Sequence, residues 1–209
     1  MFSFHPVKHI TTGEGGVIVT ERDDFALKLK LFRSHGIVKT AEMTEEHGPW
    51  YYEMQELGYN YRITDIQCAL GISQLSKLEK FIEARQRIAS RYFEAFNHTG
   101  LLQLPPQSEN RRHAYHLFPI LLPLHVNRRE FVHYMHEAGI GVQIHYIPVH
   151  LQPYYREKYG FKAGDFPLAE EFYKHEVSLP MYYGLTEAEQ DYVIQKVRHF
   201  IETESLDGE

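Results

Sequence analysis

The chain carries one cysteine and one tryptophan among 209 residues, and it has no apolar run near the roughly 20 residues that a helical bilayer span needs. A single thiol, Cys68, cannot close a disulfide within the chain, so apolar burial and hydrogen bonding must hold the fold. Positive charge is in short supply too. Against 28 Asp and Glu stand 22 Lys and Arg, a net charge of -6, which argues against a general nucleic-acid binder because phosphate neutralisation needs clustered cations. No charged-then-apolar leader is recognisable, and the cytoplasm is the expected compartment. Repeats and low-complexity tracts are absent as well. What remains is ordinary globular composition, 43% hydrophobic and 24% charged. The unusual feature is an abundance of 15 Tyr, 13 Phe and 14 His, which suits a polar-aromatic pocket or an interface.

The hydrophobic pattern gives an α/β rhythm at the start. Gly15 and Gly16 lead into Val17-Ile18-Val19-Thr20, a β-branched run that reads as a buried strand. Thr20 then reads as a helix cap with Asp23 three residues on, Phe25, Leu29 and Phe32 on one face, and Gly36 as the stop. Residues 37 to 60 show no sustained period and read as a long irregular loop, whose aromatics favour a functional role. At "ITDIQCALG" the pattern turns helical, with Thr64 as cap, Gln67 at the capping-box position, and Ile66, Leu70, Leu78, Ile82 and Tyr92 at helical spacing. No strong breaker precedes Asn97, so one helix of about 50 Å is expected, bent at most near Gly71.

The stretch "TGLLQLPPQSENRR" reads as a connector between domains, giving expected domains of 1–97 and 98–209. The second half alternates a strand at "HAYHLFPILL", a helix capped by Asn127 and stopped by Gly139, and a strand at "GVQIHYI". A Pro/Tyr-rich loop follows, then a short helix at "PLAEEFYKHE" and a capped helix at "LTEAEQDYVIQKVRHFIE". This half looks α+β, and residues 100 to 205 are expected to hold a more independent core than residues 1 to 60.

Chemistry concentrates in "SFHPVKHITTGEGGVIVT", residues 3–20. A lysine becomes a covalent catalyst when its amine condenses with an aldehyde, and pyridoxal phosphate is the commonest protein-bound aldehyde. Its phosphate needs hydroxyls and backbone N–H groups, so Ser3 is a sensible companion to Lys8. A solvated lysine with a serine nearby by chance explains the pair equally well from spacing alone. The glycine-rich turn "TTGEGG" lacks the spacing of the known phosphate loops. His133 and His136 raise a metal reading, but no carboxylate ligand stands at a recognised spacing and surface histidines explain them. Cys68 reads as a small core residue, since no activating pattern surrounds it.

Five stretches in order, "SFHPVKHITTGEGGVIVT", "LFRSHG", "LGYNYRITDIQCALGISQLSKLE", "HYIPVHLQPYY" and "SLPMYYGLTEAEQDYVI", resemble the C-terminal half of the DegT/StrS-type sugar-nucleotide aminotransferases. These are fold-type I pyridoxal-phosphate enzymes. Within the family, "SFHPVK" and "HYIPVH" are most similar to the branch that serves pseudaminic acid synthesis. The resemblance implies part of a large cofactor-binding domain and a small α+β C-terminal domain joined by a long helix.

Carried over by position, the resemblance makes Lys8 the lysine that holds pyridoxal 5'-phosphate and shuttles the proton, and Ser3 a ligand of its phosphate. Asn60 corresponds to an asparagine that reaches the phosphate held by the other subunit, which implies a homodimer. Arg62 is implied either to contact the sugar-nucleotide phosphates or to brace its loop. His145, Tyr146 and His150 lie where the family lines its sugar pocket, although packing of a Tyr/His-rich strand end is the alternative. The implied reaction is a ping-pong transamination that takes an amino group from glutamate and gives it to a nucleotide-linked keto sugar, a UDP-4-keto-6-deoxy-HexNAc. Family members carry about as much chain before this lysine as after it. An N-terminal half with the aspartate for the pyridine nitrogen is thus expected outside the present residues, with activity impaired in its absence and an exposed sheet edge and apolar face near Val17 to Val19. A non-catalytic remnant, or a dimerisation or partner-binding fragment, is the competing reading.

Overall fold

The computed structural model describes residues 1–97 and 99–206. The chain divides into two compact units, Met1–Leu78 and Glu79–Glu209, a division that differs from the expected 1–97 and 98–209. Its mixed helices and strands are those of an α/β protein. Among the described residues no helix is long and apolar enough to cross a membrane.

In the first unit, β1 (Phe2–Ser3) pairs antiparallel with β2 (Gly16–Val17), placing Phe2 opposite Val17 and Ser3 opposite Gly16. Val17, Ile18 and Val19 are exposed, not buried as their β-branched run suggests but in line with the exposed edge and apolar face expected there, and β2 pairs only with β1. Helix α1 (Asp23–Arg33) begins at Arg22 rather than Thr20. The Thr20 hydroxyl is used one step earlier, accepting the Arg22 N–H at 3.1 Å, while Asp23 and Asp24 put negative charge at the helix N-terminus. The stop is as expected: the Gly36 N–H returns to the Leu31 carbonyl at 2.9 Å with Gly36 at φ +69°.

The stretch expected as an irregular loop contains β3 (Ile37–Val38), α2 (Ala41–His47) and β4 (Glu53–Met54), with β3 and β4 antiparallel. Thr40 caps α2 by accepting the Met43 N–H at 3.2 Å. Helix α3 (Asp65–Leu75) opens on the expected capping box: Thr64 Oγ1 accepts the Gln67 N–H at 3.3 Å, and Gln67 Oε1 accepts the Thr64 N–H at 3.1 Å.

The single long helix does not form. α3 stops at Leu75 and α4 (Leu78–Phe96) starts afresh. The Ser76 hydroxyl donates back to the Ser73 carbonyl at 2.9 Å and the Lys77 N–H to the Gln74 carbonyl at 3.0 Å, tighter bonds that break the helical ladder without Pro or Gly.

The second unit holds the core. Among the described residues every buried apolar side chain lies between Ala84 and Ile201. Strand β5 (Phe118–Leu121) runs antiparallel to β6 (Glu176–Leu179) with Phe118 opposite Leu179 and Leu121 opposite Glu176. Single bridges extend this pair on both sides, Gln103 to Leu121 and Gln143 to Ser178. Around it pack α4, α5 (Arg128–Glu137) and α8 (Glu187–Leu206), while α6 (Pro153–Tyr159) follows a 3-10 turn, Val149–Leu151, and α7 (Pro167–His175) precedes β6.

Local signals start these helices. Asn127 accepts the Arg129 and Glu130 N–H groups, and Thr186 with Glu189 forms a second capping box. The amphipathic face of α4 buries Tyr92, Phe93 and Phe96, and the Tyr92 and Phe93 rings meet Phe118 at 4.9 and 5.1 Å. Burial pushes the Tyr92 phenol far above its ordinary range, and its hydroxyl donates to the Pro180 carbonyl at 2.9 Å.

The strand expected at 141–147 is reduced to the Gln143 bridge. Two residues on, the His145 N–H is taken by the Glu176 carboxylate at 2.7 Å, so no sheet ladder can continue through it.

Candidate active site

Ser3 and Lys8 belong to one hairpin. The Phe4 N–H donates to the Gly15 carbonyl at 2.9 Å, and the Thr12 N–H to the Phe4 carbonyl at 3.0 Å. Between these bonds the chain turns through Pro6 and Val7, with the Lys8 N–H on the His5 carbonyl at 3.0 Å. Lys8 is half-buried and Ser3 exposed, its Oγ accepting the His5 N–H at 3.4 Å.

The hairpin is seated on α3. Thr12, 3% exposed, donates its hydroxyl to the Glu14 carbonyl at 2.7 Å. Gln67 uses its amide to reach the same Glu14 carbonyl at 2.8 Å, so the residue that caps α3 also ties down the turn. A primary amine and a hydroxyl on one braced hairpin is the donor set that a phosphorylated aldehyde requires, amine for carbonyl and hydroxyl for phosphate.

Asn60 is held by a crossing of two segments. It bridges Ser34, while the His35 N–H donates to the Tyr59 carbonyl at 2.8 Å, the Tyr59 N–H to the Phe32 carbonyl at 2.7 Å, and the Tyr61 N–H to the Arg33 carbonyl at 2.9 Å. The Tyr59 and Tyr61 rings stack at 4.8 Å, and alternation along this extended stretch sends Asn60 to the opposite side. Asn60 and Arg62 are both exposed, and Arg62 makes no ion pair among the described residues.

His145, Tyr146 and His150 lie in the second unit, while Ser3, Lys8, Asn60 and Arg62 lie in the first. His145 is half-buried and Tyr146 exposed, their rings meeting edge-on at 4.6 Å. His150 is buried, with Nε2 2.8 Å from Glu170 Oε1 and the ring 4.7 Å from that of Phe166. The His150 bond and the Gly164 N–H hold the Glu170 carboxyl below its ordinary value. The polar face of His150 is therefore committed to bracing residues 164–170.

Glu176 and Ser178 escaped the sequence reading. Their only signal is polarity at alternate positions of the apolar stretch "EVSL". His133 lies 3.3 Å from Glu137, and His136 meets the Val142 carbonyl at 3.3 Å, so the two histidines have separate partners. Cys68 is half-buried on α3, a helix with no buried residue, rather than part of a core.

A model of the DegT/DnrJ/EryC1/StrS aminotransferases matches residues 1–198. The chain belongs to this family. Among curated proteins it is 41% identical over 183 residues to the UDP-4-amino-4,6-dideoxy-N-acetyl-beta-L-altrosamine transaminase of Campylobacter jejuni, covering 86% of this chain and 46% of that protein. Among solved structures, Helicobacter pylori PseC, an aminotransferase of pseudaminic acid biosynthesis, superimposes with a TM-score of 0.87 at 31% identity over 97% of this chain and 53% of that one. The putative sugar aminotransferase Spr1654 of Streptococcus pneumoniae, solved in its PLP-form, superimposes with a TM-score of 0.84 at 25% identity over 97% of this chain and 51% of that one. The chain spans about half the length of the curated relatives it matches.

Proposed function

We propose that the protein containing this chain transfers an amino group from glutamate to a nucleotide-linked keto sugar, a UDP-4-keto-6-deoxy-HexNAc, with pyridoxal 5'-phosphate as cofactor. The observation that carries the reading is the Ser3–Lys8 hairpin seated on α3 through Thr12 and Gln67. When bound, the cofactor supplies an electron sink for the carbon that exchanges nitrogen. Lys8 would contribute the amine that holds the cofactor, and its Nζ would accept and return a proton, a task that requires a braced position. The Ser3 hydroxyl and neighbouring N–H groups bind the phosphate. Asn60 serves the phosphate of a second subunit, which makes a homodimer part of the proposal. Arg62 is the cation for the sugar-nucleotide phosphates, suited by its exposure. His145 and Tyr146 offer a polar edge beside an aromatic ring to the sugar, while His150 braces residues 164–170 through Glu170.

The exposed aromatics Trp50, Tyr52, Tyr59 and Tyr61 favour a second reading, in which this chain only associates with a partner. One experiment separates the two. The purified protein is incubated with pyridoxal phosphate, reduced with borohydride and mapped by peptide mass spectrometry beside a Lys8→Ala control. Selective, saturable labelling of Lys8 is expected. Labelling scattered evenly over exposed lysines, with self-association in sedimentation, would establish the second reading instead.

A further inference from the structure

Glu176 is fully buried, and among the described residues it makes no ion pair. Placing a carboxylate inside a strand without a cation is costly unless hydrogen bonds replace its water. Two donors reach it, and a third contact ties both to His145. Glu176 Oε2 accepts the backbone N–H of His145 at 2.7 Å. Glu176 Oε1 accepts the Ser178 hydroxyl at 2.6 Å. The Ser178 oxygen in turn lies 2.8 Å from His145 Nδ1.

Residues 176 and 178 share one face of β6 by strand alternation, and the Gln143–Ser178 bridge brings the chain bearing His145 alongside that strand. A carboxylate only accepts, so the single hydroxyl proton of Ser178 goes to Glu176. That leaves the serine oxygen to accept from the ring, which places the ring proton on Nδ1. With Nδ1 so used, Nε2 bears a lone pair, and it has no hydrogen-bond partner among the described residues.

We propose that Glu176 and Ser178 are positioning residues that hold His145 as the Nδ1–H tautomer and so present Nε2 as a hydrogen-bond acceptor to a hydroxyl or amide N–H of the sugar nucleotide. This rests on the sugar-nucleotide reading above. A fixed acceptor distinguishes a donor-bearing sugar position from one without a donor, because the missing partner leaves the lone pair unpaired. The exposed Tyr146 ring beside it supplies the apolar face that a pyranose also needs.

The test is the two-bond 1H–15N spectrum of the protein labelled with 15N-histidine, with the His145 signals assigned by their loss in His145→Gln. Nδ1 protonation at neutral pH is expected in the wild type, moving to Nε2, the tautomer free histidine prefers, in Ser178→Ala. Where Ser178→Ala does not fold, the wild-type spectrum decides alone. Nε2 protonation in the wild type overturns the proposal, whatever the protein binds. Nδ1 protonation in a protein that binds no nucleotide sugar upholds the positioning and refutes the reading of the site. In the active enzyme, Ser178→Ala is expected to raise KM for the nucleotide sugar about tenfold and to leave kcat within about threefold, the scale of one misplaced hydrogen bond. An unchanged KM overturns the role in sugar recognition.

Discussion

The Cβ that Gly71 lacks would sit 2.9 Å from Cγ2 of Thr12, so α3 touches the Lys8 hairpin at a point where no side chain fits. Alanine is favoured over glycine in a helix by about 1 kcal/mol, yet here Gly71→Ala is expected to lower stability and to weaken selective labelling of Lys8. Thr12 is buried and short, so it can yield only by shifting the turn. Thr12→Ser removes the offending methyl and keeps the hydroxyl bond to the Glu14 carbonyl. The Gly71→Ala/Thr12→Ser pair should therefore recover both properties, a coupling that a double-mutant cycle by thermal melt and borohydride mapping measures. Additive effects would mean that the contact does not position the hairpin.

Gly36 is a second point of close approach, with φ +69° and no room for a Cβ against the Glu56 carbonyl oxygen. Gly36→Ala meets rigid backbone and a left-handed conformation together, and the strain of the conformation alone is about 1–2 kcal/mol. The segments that hold Asn60 should part. Hydrogen exchange reads this directly, as faster exchange of the Tyr59 and Tyr61 amides, which donate across the crossing, with the amides of β5 and β6 unchanged. Unaltered protection of Tyr59 and Tyr61 would refute the account.

What the sequence disclosed and what it hid differ by range. Thr64 with Gln67, Asn127, and Thr186 with Glu189 are legible because a cap is a contact within a few residues. The face of α4 is legible because its period is local. The interruption at Ser76 and Lys77 is not, since it depends on a serine hydroxyl choosing its own backbone over solvent. Exposure of Val17 to Val19 is set by what covers the strand, which composition does not encode. The missing strand around His145 has a cause 31 residues away, in Glu176. Lys8 and Ser3 stand out through a resemblance carried by their surrounding motif, whereas Thr12, Glu176 and Ser178 acquire meaning only when the chain folds.

The core of the second unit should respond independently of the hairpin. Phe118 has no exposed surface and meets Tyr92, Phe93 and Tyr115 within 6.4 Å. Truncation to alanine leaves a cavity among rings that cannot collapse far, and a loss of about 3–5 kcal/mol is expected by urea unfolding. Selective labelling of Lys8 under native conditions should persist. A loss below about 1 kcal/mol would show that the ring is not part of a tightly packed core.

The His150–Glu170 pair gives the fold a sensitivity to acid whose sign follows from the carboxyl. Its pKa in the folded chain lies below the ordinary 4.5, first because of the His150 bond and then the Gly164 N–H. A depressed carboxyl contributes stability that is present above its unfolded value and is lost as pH falls through its folded value. Glu170→Gln keeps an oxygen for the Gly164 N–H but removes the charge. The wild type should melt above the variant at pH 6, with the gap narrowing below about pH 4.5 as the unfolded carboxyl protonates and closing further as the folded one does. The segment 164–170 should open with it, seen as faster exchange of the Gly164 amide at low pH. A gap that stays constant from pH 6 to pH 3 would mean that the charge of Glu170 does not stabilise this segment.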